Sequence, residues 1–170
     1  MGKVISFNNN RIGRGKQKMD NRVRLAKYVL FFANNMNSNL YKTKLNKLLF
    51  YTQFLFYKRY GEALLENDFI KDYYGPVLGE LDSYIEEFSE AKLIATKRTM
   101  YGTVIAPKVK LNAESYTERE LAVLNEVCDY FDSYSSTRIS DYSHREPLWK
   151  ETELKDVIPI GEAYKLNDFN

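Results

Sequence analysis

Between Thr43 and Tyr60 the apolar side chains go almost the whole way round a helix, and this segment constrains the fold more than any other. Leu45, Leu48, Leu49, Thr52, Leu55 and Phe56 trace one stripe at helical spacing. Phe50, Phe54 and Tyr57 extend it around the axis, and Lys44, Lys47 and Lys58 are the main charged interruptions. A surface helix shows one apolar face; a helix this apolar belongs at the centre, contacted from several sides. Thr43 or Asn39 is expected to cap it, and Gly61 to stop it.

The other elements arrange themselves around that helix. A first helix is expected over about 21–36, where Val23, Ala26, Lys27, Leu30 and Ala33 share a face. Residues 61–76 read as a connection ending in Tyr73, Tyr74, Gly75 and Pro76. Pro76 is suited to the first turn of a third helix over about 77–90, buried through Val77, Leu81, Ile85 and Phe88. The period then shortens, and Gly102 between two β-rich runs predicts a hairpin, with Pro107 placing its second strand at an edge or dividing it. Thr117 with Glu120 three residues on has capping-box spacing at the start of a fourth helix, and Ser143 with Glu146 repeats it. Residues 156–170 supply enough apolar side chains for a docked tail. The expected fold is mainly α with a small β-hairpin (α+β): a compact bundle of four principal helices with a hairpin between the third and fourth. Its domains are a flexible basic N-terminal arm over 1–20 and a single helical domain over 21–170.

Charge is unevenly distributed. Residues 1–24 carry Lys3, Arg11, Arg14, Lys16, Lys18, Arg22 and Arg24 against Asp20 alone, a net +6, whereas the remainder is mildly acidic. Residues 62–90 hold nine carboxylates opposed only by Lys71. A basic arm favours phosphate contact, but an acidic body repels a nucleic-acid backbone, so a solubilising or partner-docking arm is the leading reading of Arg11, Arg14, Lys16 and Lys18. The 14 Tyr and 10 Phe in 170 residues point to broad amphipathic contact areas, at the core margin or at an interface.

Candidate chemistry is sparse. One cysteine, Cys128, lies in a helical apolar stripe and reads as a small buried hydrophobe. One histidine, His144, leaves no histidine pair for a metal, and no phosphate-binding loop has the required spacing. No cofactor is expected, and no catalytic residue is named. No apolar run is long enough to span a membrane, and the start lacks a secretory pattern, so a cytoplasmic location is expected.

Two segments carry a resemblance. Thr43-Lys44-Leu45-Asn46-Lys47-Leu48-Leu49-Phe50-Tyr51, followed by Tyr74-Gly75-Pro76-Val77, resembles the first half of the Panacea domain of SocA-like antitoxins, a family also found among phage-associated proteins. Ile139-Ser140-Asp141-Tyr142-Ser143-His144-Arg145-Glu146-Pro147-Leu148-Trp149 resembles its ending, apart from Pro147, which directly follows Glu146 instead of adjoining the Trp. Lys47, Tyr74, Gly75, Pro76, His144, Glu146 and Trp149 match the family's signature positions, and a shared polar-aromatic site is one reading of them. The resemblance implies a non-enzymatic antitoxin that neutralises a cognate protein toxin by direct contact. An adaptor role toward an ATP-dependent protease is known for a member of the family. A phage or mobile-element accessory protein binding a host factor, and a nucleic-acid-associated regulator using the arm, are the alternatives.

Overall fold

The structure is a computed structural model that describes residues 3–5, by their backbone, and residues 20–169. The helix α2 (Lys42–Tyr60, with β and α labels running in chain order) is buried without interruption over residues 44–56. Those three and a half turns touch something on every side, as the all-round apolar sequence demands. Around α2 stand α1 (Asn21–Asn35), α4 (Glu118–Phe131), α5 (Ser136–Ser143) and a C-terminal 3-10 segment, Ile160–Lys165. Gly61 ends α2 in the left-handed conformation at φ 68°, its N–H donating to Tyr57 O at 2.8 Å. The start of α2 departs from expectation. Tyr41, in extended conformation and without a side-chain cap, precedes it because Leu40 and Tyr41 are already paired in a strand, β2 (Leu40–Tyr41).

The expected four-helix bundle with one hairpin is not what forms. The fold is mostly helical, but its described residues also build three small sheets, of three, two and two strands. The hairpin between α3 (Leu81–Glu90) and α4 is present as β5 (Ile94–Thr99) and β6 (Gly102–Pro107), turning at Gly102, φ 123°. Its second strand is divided as Pro107 suggested: β6 also pairs with β2, and after Lys108 the chain moves to another sheet as β7 (Val109–Leu111). There β7 runs parallel to β1 (Lys3–Ile5), inside the segment read as a flexible arm. The rest of that arm, with Arg11, Arg14, Lys16 and Lys18, lies outside the described residues.

The largest correction concerns residues 61–80. What read as a connection and a helix start is a second hairpin, β3 (Phe69–Asp72) against β4 (Gly75–Leu78), with Tyr73 and Tyr74 at its tip. Pro76 pairs with Lys71 in β4 and does not open a helix. The register continues through Ile70↔Val77 and Phe69↔Leu78, and Gly79 N–H then donates to Asp68 O at 3.1 Å. Only after Glu80, at φ 66°, does α3 begin. Asn46 of α2 fastens β4 by accepting the Leu78 N–H at 2.9 Å.

Two buried carboxylates knit the helices. Glu120 closes the predicted capping box on Thr117, accepts from Tyr28 Oη at 2.8 Å, and lies 3.7 Å from Lys27 Nζ. The second, Glu146, is no part of a capping box, because the Ser143 hydroxyl donates to Ser140 O at 2.7 Å. The short α6 (Pro147–Lys150) starts with Pro147 in its first turn. Much of the aromatic content goes into the core, where Tyr51 packs its ring 4.8 Å from that of Phe131 and 5.6 Å from that of Phe169. No helix among the described residues is long and apolar enough to cross a membrane.

Candidate functional site

The β3–β4 tip, α2, α5 and α6 meet at one corner of the molecule. Gly75 makes the meeting possible. Its φ of 106° is a conformation L side chains rarely adopt, and a Cβ there would collide with Ser143 Oγ and sit 2.8 Å from Lys47 Cε. The hairpin backbone therefore lies directly on the ends of two side chains, Lys47 from α2 and Ser143 from α5. His144, which caps α5, stacks on Trp149 of α6 with ring centroids 4.3 Å apart and planes 26° from parallel. Lys71 Nζ stands 4.1 Å from the Trp149 ring centroid, and Trp149 Nε1 donates to Asp72 O at 3.3 Å. Asp72 Oδ1 accepts from Lys155 Nζ at 2.7 Å and from the Tyr73 N–H at 2.8 Å.

Burial dominates the electrostatics of the corner. Lys47 is 1% exposed, and burial pushes its ammonium pKa down to about 8 against the smaller pull of the Asp72 charge. The Asp72 carboxylate thus reaches Lys47 only as a field, since it is bonded to Lys155 instead. His144 is also held below its ordinary value, first by burial, with Lys47 adding repulsion while Asp141 and the Tyr73 backbone favour the charged ring. Its Nε2 is buried without a hydrogen-bond partner. Asp72 is held low, mainly by the hydrogen bond from Lys155.

The residues singled out in the sequence divide in two. Lys47, Gly75, His144 and Trp149 converge, with Pro76 buried in the strand behind them and Tyr74 at the tip, 75% exposed. Glu146 belongs elsewhere. It is fully buried, accepts from Tyr51 Oη at 3.1 Å and from the Asn167 N–H at 2.9 Å, and burial raises its pKa. Its contacts hold the C-terminal tail against the core. Sequence reasoning missed Lys71, Asp72 and Tyr73 as members of the corner; the only signal was their adjacency to Tyr74, which a hairpin reading would have exploited.

The Ser143 hydroxyl is turned to the Ser140 carbonyl, and burial drives the Cys128 thiol up to about 11. Among the described residues no group of three or more His, Cys, Asp or Glu side chains is placed to hold a metal.

Residues 45–150 match the family model described as antitoxin SocA-like, Panacea domain. Comparisons with curated proteins and with solved structures return no match. The matched span takes in more than half of the chain and the corner from Lys47 to Trp149, and it carries a general antitoxin or accessory role. The chain belongs to the SocA-like antitoxin family, as a Panacea-domain protein.

Proposed function

We propose that the protein is a cytoplasmic antitoxin that neutralises a cognate protein toxin by direct binding, with residues 21–170 as its single domain. The contact face is the corner built by the β3–β4 tip, Lys47, His144 and Trp149. The observation that carries this reading is the tip itself. Tyr73 and Tyr74, 66% and 75% exposed, stand side by side on a hairpin fastened to the central helix. Neighbouring exposed tyrosines on a hairpin anchored at its base give a large amphipathic contact, the kind of anchor that dominates protein interfaces. They adjoin the cluster in which the side chains of Lys47, His144 and Trp149 meet around Gly75.

Co-expression with the product of the neighbouring gene tests the reading. The wild-type chain is expected to form a stable complex and to relieve that product's toxicity. The double variant Tyr73→Ala/Tyr74→Ala is expected to lose both while melting at the wild-type temperature. No complex and no rescue by the wild type would refute neutralisation. Full rescue by the double variant would move the contact away from this face. The toxin's lifetime in the same cells, with and without an ATP-dependent protease, shows whether binding ends in degradation.

A further inference from the structure

Three lysines are buried among the described residues, and two have a local reason to be there. Lys27 lies 3.7 Å from the Glu120 carboxylate, and Lys44 Nζ donates to Asp132 O at 3.0 Å. The Lys47 side chain makes no hydrogen bond or ion pair with any other described residue. Its ammonium ends beneath the tip, against the Gly75 backbone, and the one carboxylate that acts on it, Asp72, is bonded to Lys155 and to the Tyr73 N–H. Burying a cation without a partner works against folding, and a methionine would fill the same space without that cost. The return on such a residue lies in a bound state that supplies the missing anion.

The surroundings define the anion. His144 Nε2 is a buried polar atom without a hydrogen-bond partner in the same corner. Lys71 and Lys155 add positive charge around Trp149 and Tyr73, against Asp72 and Asp141. Access is past a two-residue tip whose tyrosines are mostly solvent-exposed. A covered cation under a protein-contact surface suits one side-chain carboxylate presented by a larger chain better than a free small molecule. We propose that Lys47 is the receptor for an aspartate or glutamate carboxylate of the protein partner, admitted by displacement of the Tyr73/Tyr74 tip and held by the Lys47 ammonium together with His144 in its Nε2–H tautomer. This rests on the reading of the molecule as a protein binder and specifies the chemistry of its partner: an acidic residue flanked by segments that cover the two tyrosines.

Trp149 is the only tryptophan in the chain and stacks on His144, so its fluorescence reports on the corner. The full chain is titrated at fixed ionic strength with an acetylated, amidated tetraglutamate peptide, with the matching tetraglutamine peptide, and with sodium acetate. The wild type is expected to give a saturable change with tetraglutamate, and Lys47→Met to bind it at least tenfold more weakly while melting no lower than the wild type. No saturable change, equal binding by Lys47→Met, or equal binding of tetraglutamine overturns the proposal. Acetate saturating as tightly as the peptide overturns the protein source of the carboxylate. A lower melting temperature for Lys47→Met shows that the amine holds the fold and removes the premise. The titration needs no toxin. Failure here with toxin rescue intact removes the receptor but not the neutralisation, and the reverse outcome separates them equally.

Discussion

Lys47 and Glu146 are both buried ionisable groups, yet they are treated oppositely by the fold. Glu146 accepts from two donors, whereas the Lys47 ammonium has no acceptor among the described residues. For Lys47 the consequence is a stability that depends on pH. Its pKa falls from an ordinary 10.5 to about 8, so the folded state disfavours the protonated amine. The cost is present in full below pH 8 and fades as pH rises from 8 toward 10.5, where the unfolded chain also loses the proton. At about 1.4 kcal/mol per pKa unit the upper bound is roughly 3 kcal/mol. Lys47→Met is therefore expected to be about 1–3 kcal/mol more stable than the wild type at pH 7, the two converging by about pH 10.5 in denaturant unfolding. A constant difference across that range would show that the amine's charge is not the source.

Among the elements, the C-terminal tail depends most on a single side chain. Asn167 N–H is bonded to Glu146, Lys58 Nζ donates to Leu166 O at 2.6 Å, and Phe169 stacks on Tyr130 at 4.8 Å. Glu146→Ala leaves the Asn167 N–H and the Tyr51 hydroxyl without their acceptor, at an expected cost of about 1–3 kcal/mol. Hydrogen exchange at residues 166–169 is expected to accelerate more than in α4, whereas uniform acceleration would mean the tail is not a separate latch. This role was not legible in the sequence, where Glu146 stood with His144 and Trp149 in one motif. Spacing in a motif does not say which way a residue faces when a short helix and a proline turn the chain between them. The α2 core, the Thr117–Glu120 box and the turn at Gly102 were legible because each follows from local periodicity or capping. The β3–β4 hairpin was not. Gly-Pro signals a change of direction equally well before a helix and inside a turn-strand junction, and the pairing of its strand with residues three to nine earlier is a tertiary choice that Asn46 supports.

At the scale of the whole molecule, one helix links every layer. α2 contacts α1, α4, α5, the Ile160–Lys165 segment and strands from two of the sheets. Leu49, fully buried in its middle, is the natural probe. Leu49→Ala is expected to cost about 2–5 kcal/mol, with helical circular dichroism and Trp149 fluorescence lost in one coincident transition. Separate transitions would divide the core into independent units. The tip lies at the opposite extreme of this organisation. The hairpin register is set by Ile70↔Val77, by the bridge Ile70↔Val157 and by the Ile158 N–H on Phe69 O, all below the turn. The side chains of Tyr73 and Tyr74 take no part in that register. Replacing them therefore alters what the tip offers to a contacting surface while the ladder beneath it is left in place, so the chemistry of the tip and the stability of the fold can be changed separately.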